Sequence, residues 1–188
     1  MKKMIAVLFL LIAGPILAAE PPAPGFYAGV NYTSTDYKES GFPTVSPTAL
    51  TFKLGKELNP NLAIEGRLGI GLSDGNTSII VPGIPPVTVD LSLDIDNFYG
   101  VYLKGMLPTG SITPYGFVGF TKGKLTATAS ALGVSASGSD SDSSLSYGVG
   151  VDFSISKTAA INLEYIPQLL KGDGYKVSGF SVGVSFKF

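Results

Sequence analysis

Along this chain, apolar residues fall at every second position over long stretches, most strictly at its end. Phe180, Val182, Val184, Phe186 and Phe188 alternate there with Ser181, Gly183, Ser185 and Lys187. A period of two belongs to a β-strand with one apolar face and one polar or tiny face. The chain stops on the aromatic residue itself. A soluble sheet rarely finishes with its most apolar strand at the free carboxylate. A membrane-spanning barrel does so, with lipid outside and a polar lumen inside.

Seven further segments repeat the pattern. Residues 25–36 set Phe26, Ala28, Val30 and Tyr32 against Tyr27, Gly29, Asn31 and Thr33. Residues 48–58 set Leu50, Phe52 and Leu54 against Thr51, Lys53, Gly55 and Glu57, and residues 61–73 set Ile64, Leu68, Ile70 and Leu72 against Glu65, Arg67, Gly69 and Gly71. In residues 90–107 one alternation places Leu91, Leu93, Ile95, Tyr99, Val101 and Leu103 outward, with Asp94, Asp96, Gly100, Tyr102 and Lys104 inward. In residues 113–129, Lys122 and Lys124 taken as lumen residues put Tyr115, Phe117, Thr121, Leu125 and Ala127 outward and Val118 and Phe120 inward. Residues 144–156 and 159–166 complete the set with Ser146, Gly148, Gly150 and Asp152, then Asn162 and Glu164, on the polar face.

The connections alternate in length. Short turns follow residues 58, 107 and 156, while long connections cover residues 37–47, 74–89, 130–143 and 167–175. Short periplasmic turns and long external loops are the known asymmetry of outer-membrane barrels. The expected fold is therefore all-β: an eight-stranded, antiparallel, up-and-down transmembrane β-barrel with both termini on the periplasmic side.

The start of the chain fits export. Lys2 and Lys3 precede a nearly all-apolar run over residues 4–17, and Ala18 and Ala19 follow. This reads as a secretory signal peptide over residues 1–19, cleaved after Ala18 or Ala19. The apolar run is shorter than the ~20 residues a spanning helix needs. Residues 20–188 then form the barrel domain, exported through the Sec pathway to the cell outer membrane.

Composition narrows the chemistry. Without Lys2 and Lys3 the formal charge of −1 becomes −3, which argues against nucleic acid as a partner. There is no cysteine, hence no disulfide framework and no thiolate site. There is no histidine, the usual general base and metal ligand, so neither catalysis nor a metal or cofactor is expected. The 24 glycines sit mostly on the polar faces of the strands, where a solvent-exposed position would waste them and a narrow lumen needs their small size. A soluble barrel that binds an apolar ligand has the same period with the faces inverted, and the glycines and mixed charges oppose it.

Lys53, Glu65, Arg67, Asp96, Lys104, Lys122, Asp152 and Glu164 form the expected lumen charge network. They either pair as a static plug or exchange partners as the gate of a narrow pore. An eight-stranded interior is only just wide enough for side chains, which favours the plug. The segment over residues 78–90 is apolar for an external connection. Ile79, Ile80, Val81, Ile84 and Val87 are candidate contacts on a hairpin that extends above the membrane and offers a sheet edge or apolar patch to a partner. The Ser/Gly-rich residues 135–144 read as a solvated loop.

The chain resembles the small outer-membrane β-barrel proteins, the group of OmpA membrane domains, OmpX, Ail-type adhesins and opacity-type porins. The resemblance rests on the start Gly25-Phe-Tyr-Ala-Gly29, on Pro114-Tyr-Gly-Phe-Val-Gly119, Tyr147-Gly-Val-Gly-Val151 and Ile161-Asn-Leu-Glu-Tyr165, and on the terminal Phe188. It implies a monomer in outer-membrane lipid. It also implies insertion by the barrel assembly machinery, which reads Phe186 and Phe188 in the last strand. The expected role is membrane-structural or adhesion-like, through four external loops and a surface ligand; a narrow passive pore for small solutes is the alternative.

Overall fold

A computed structural model describes residues 25–83 and 85–188. The signal segment at residues 1–19, and Ile84, lie outside the described residues. The described residues form nine antiparallel strands: β1 Phe26–Glu39, β2 Thr48–Asn59, β3 Leu62–Ser73, β4 Gly75–Val81, β5 Val87–Met106, β6 Ile112–Ala131, β7 Val134–Ser154, β8 Ala159–Lys171 and β9 Tyr175–Lys187. Each strand pairs with its sequence neighbour, apart from the β3–β4 break at Asp74, and β1 pairs with β9. β3 pairs with β5 through Leu62↔Gly105 to Ile70↔Asn97, which closes a ring of eight strands. β4 carries on above β3 along the same flank of β5, from Gly75↔Leu93 to Val81↔Val87. A closed ring leaves no backbone group unpaired in lipid.

The outer wall is apolar. Leu54, Leu68, Val101, Phe120, Val149 and Phe180 are exposed, and Phe120 is 71% accessible. The inner wall buries Asn31, Thr33, Lys53, Glu65, Arg67, Lys104 and Glu164. This is the arrangement of a lipid-facing barrel, the inverse of a soluble one. Glycines occupy the inner wall where bulky rings cross it: a Cβ on Gly148 or Gly150 would stand 2.5 Å from the ring of Phe117 or Tyr115.

Several expectations are corrected. Tyr115, Phe117, Thr121 and Leu125 are buried inside, whereas Val118 and Phe120 face outward, so the faces of β6 are the reverse of those expected. Leu93 and Ile95 also point inward, because a bulge between Ile95 and Asn97 swaps the faces of β5 midway. On β6 the reversal follows from Lys122 and Lys124, which share the outward face of Val118 and Phe120 but stand above the lipid and do not mark the lumen side; on β5 it follows from the bulge. Beyond the bilayer the surroundings are water again, so the apolar face must turn inward and the charges outward. Finally, the Ser-rich residues 135–144 are strand. β6 and β7 stay paired up to Ala131↔Val134, and Leu132 and Gly133 turn the chain with φ of 52° and 79°. Positive φ at both central residues is the tight turn that matches strand twist.

Above the ring, β4 and the outer halves of β5, β6 and β7 thus form a four-stranded sheet that rises past the other strand ends. Opposite it, the connection from β1 to β2 folds back through the pair Tyr37↔Val45. β8 and β9 end in a tight turn at residues 172–174 rather than the long loop expected there.

Candidate functional site: the charged lumen and the external sheet

The lumen is filled from three directions. Arg67 on β3 donates from Nη1 and Nη2 to both carboxylate oxygens of Glu164 on β8, at 3.1 and 3.0 Å. Its Nε donates to Glu65 at 2.6 Å. Lys53 on β2 reaches Glu164 at 2.8 Å, and Lys104 on β5 reaches Asp152 on β7 at 3.0 Å. The hydroxyl of Tyr27 donates to Glu65 at 2.7 Å, and that of Tyr115 to Glu164 at 2.9 Å. The Arg67 guanidinium lies 4.0 Å from the Phe117 ring centroid, and Lys104 Nζ 3.7 Å from that of Tyr115. Three cations therefore meet three anions with aromatic rings between them. Charges this deep are tolerable only when each is paired and hydrogen-bonded.

A polar layer adjoins the charges. Asn31 donates to Asn162 and Ser181, and Thr33 bonds Thr51 and Ser181. Tyr102 and Thr121 share a further hydrogen bond. An apolar layer built on Ile95, Phe98, Leu125, Ile166, Leu169, Leu170 and Val177 then closes the external end. A void among these residues is about 10 Å³, room for one water at most.

Of the eight charged residues expected in the lumen, six meet there: Lys53, Glu65, Arg67, Lys104, Asp152 and Glu164. Asp96 and Lys122 do not. Asp96 pairs with Lys124 at 2.8 Å on the outer face, and Lys122 is exposed there. Both lie above the lipid belt, where outward charges meet water. The Lys124 amine beside Asp96 holds its carboxyl below the usual range. Desolvation pushes the neighbouring Asp94 carboxyl up, and the charges of Asp74 and Asp96 add to it. Sequence reasoning missed Tyr115 and Phe117 as lumen residues. The signal was present in β7, whose Gly150 and Gly148 stand directly opposite them.

The external sheet carries the candidate contacts. β4 pairs with β5 on one side, and its other edge has no strand partner among the described residues. Ile80 is 72% exposed and Val81 is exposed beside it, while Ile79 and Val87 are half-buried. The hairpin of β6 and β7 ends in exposed Leu132 and Val134. The inner face of the sheet and the β1–β2 connection enclose an open cup of about 380 Å³, lined by Tyr37, Phe42, Val45, Leu91, Leu93 and Ala127 among others.

A family model described as outer membrane protein beta-barrel domain matches residues 4–188. Among solved structures, Ail, the attachment invasion locus protein of Yersinia pestis, superposes with a TM-score of 0.60 at 21% identity, over 89% of this chain and 100% of that one. A second structure of Ail, in complex with the heparin analogue sucrose octasulfate, gives 0.59 at the same identity and coverage. Neisserial surface protein A gives 0.55 at 15% identity, over 89% and 99% of the two chains. These likenesses concern the fold. No curated protein matches the chain in sequence.

Proposed function

Because the chain belongs to the outer membrane protein β-barrel family, we propose that it is a non-enzymatic, monomeric surface-interaction protein whose barrel anchors the external sheet. The observation that carries this reading is the free edge of β4 with Ile80 and Val81 exposed beside it. An unpaired edge offers main-chain donors and acceptors to an extended segment of a partner, and flanking apolar side chains add affinity. The packed, charge-balanced lumen supports a plug and opposes the narrow pore. The exposed Phe186 on β9 and Phe188 directly after it, the latter stacked on Phe26 at 6.3 Å, suit a closing strand read by the assembly machinery.

The test replaces residues 79–89 by Asn-Gly, a two-residue turn between the paired Ser78 and Asp90. The variant should insert with an unchanged heat-modifiable gel shift, and bacteria displaying it should lose attachment to host cells or matrix. Unchanged attachment by a correctly inserted variant would refute the role of this edge.

A further inference from the structure

Ten cations of the barrel sort into two groups. Lys53, Arg67 and Lys104 are neutralised inside; Lys124 pairs with Asp96, Lys187 pairs with Glu57, and Lys56 lies over the Phe26 ring. Lys38, Lys122, Lys171 and Lys176 have no ion pair or ring contact among the described residues, and all four are exposed.

These four share one place. Lys38 on β1 stands directly opposite Lys176 on β9, and Lys176 stands directly opposite Lys171 on β8. Cross-strand partners share a face, and the residue next to Lys176, Val177, is buried inside, so the three lysines stand on the outer wall. The row continues around the barrel. The backbone N–H of Lys171 donates to Ser144 Oγ on β7 at 2.9 Å, and the adjacent Ser143 pairs with Lys122 on β6. Lys122 pairs in turn with Tyr99, an exposed ring on the lipid wall. Along β9, Lys176 is four residues beyond exposed Phe180, about 14 Å of strand at ~3.4 Å per residue. The row thus begins where the lipid belt ends, on the external side.

Like charges directly opposite one another destabilise a sheet. Three in a line across three strands, in a chain of net negative charge, call for anions from outside. The outward carboxylate of β1, Asp36, accepts instead from Ser46 at 2.8 Å, and Asp173 in the turn between Lys171 and Lys176 forms no ion pair with them among the described residues. We infer that Lys38, Lys171, Lys176 and Lys122 form an outer-wall site for the phosphate groups of glycolipid in the outer leaflet, holding the barrel at a set depth and covering this flank with lipid. The height of the row decides for lipid over a soluble anion: the lysines border the belt laterally, where a headgroup phosphate sits beside them while its acyl chains pack on Phe180 and Tyr165. Lysines near an anionic surface attract it strongly at this range and lose that attraction in salt.

The test titrates purified full-length barrel, folded in zwitterionic detergent, with bis-phosphorylated lipid A and reads bound lipid by native mass spectrometry. Substitution of all four lysines by Gln should weaken binding roughly a thousandfold, whereas Lys56→Gln at the opposite end should leave it unchanged. Dephosphorylated lipid A should bind wild type as weakly as lipid A binds the four-Gln variant. This second arm needs no variant and stands even if the four-Gln chain does not fold. Equal binding of phosphorylated and dephosphorylated lipid, or a four-Gln variant that matches wild type, would overturn the site. So would inorganic phosphate or sucrose octasulfate that displaces lipid A at comparable concentration, which would assign these lysines to a soluble anion.

Discussion

Arg67 and Glu164 are 97 positions apart in sequence and face each other across the lumen through two parallel hydrogen bonds of 3.1 and 3.0 Å. The pair ties β3 to β8, strands that share no backbone ladder. Arg67→Leu would leave buried Glu65 with no ion pair and buried Glu164 paired with Lys53 alone. Loss of one partner of a buried ion pair costs about 3–5 kcal/mol. Urea unfolding in detergent should show that loss, and Arg67→Leu with Glu164→Gln should recover part of it. Additive losses in the double variant would refute the coupling.

The layered lumen predicts a closed barrel. Wild-type protein in a planar bilayer should give no stepwise current. Lys104→Gln should change nothing, because the apolar layer from Ile95 to Val177 still closes the external end. Discrete conductance steps that respond to Lys104→Gln would favour the pore.

Glycines on the two walls should respond differently. A Cβ on Gly66 would stand no closer than 3.8 Å to a neighbouring atom, the carbonyl oxygen of Leu54, whereas one on Gly150 would stand 2.5 Å from the Tyr115 ring. Gly66→Ala should fold with little change in stability. Gly150→Ala must displace Tyr115, which donates to Glu164, and should cost on the order of 1–3 kcal/mol, as overpacking does. Equal unfolding midpoints for the two variants would contradict the narrow-lumen account.

The external sheet should respond to acid through Asp94. Its folded-state pKa is raised, by desolvation first and by Asp74 and Asp96 second. Protonation therefore favours the folded form: the stabilisation is present below the unfolded pKa and is lost as pH rises through the folded one. Asp94→Asn should slow hydrogen exchange in the outer half of β5 at pH 7, and the difference from wild type should vanish toward pH 4. A pH-independent difference would point to packing instead of charge.

Leu132 holds φ of 52°, a costly conformation for a branched side chain. Leu132→Asn suits that turn and should stabilise the β6–β7 hairpin by about 0.5–1 kcal/mol, seen as slower proteolysis at its tip. Faster cleavage would show that exposed Leu132 makes contacts worth more than its strain.

Within the bilayer the pattern was legible along most strands but not on β6, where Tyr115 and Phe117 line the lumen and Val118 and Phe120 face lipid. β1, β2, β3 and β9 alternate as read, because lipid on one side and a polar lumen on the other force a strict period of two. The pairing partners of Lys53, Glu65, Arg67, Lys104, Asp152 and Glu164 were not legible, since their contacts cross the lumen between strands distant in sequence. Above the membrane the same pattern misled. Leu93, Ile95 and Leu125 turn inward and Asp96, Lys122 and Lys124 outward, and the chain itself does not mark where lipid gives way to water. The sequence determined most of the strands, the two faces of β1, β2, β3 and β9 inside the membrane and the polarity of the lumen. Ring closure through β3 and β5, the bulge at Ile95–Asn97 and the tall external sheet were decided by the tertiary structure, because the medium around a residue depends on its height in the folded barrel and not on its place in the chain.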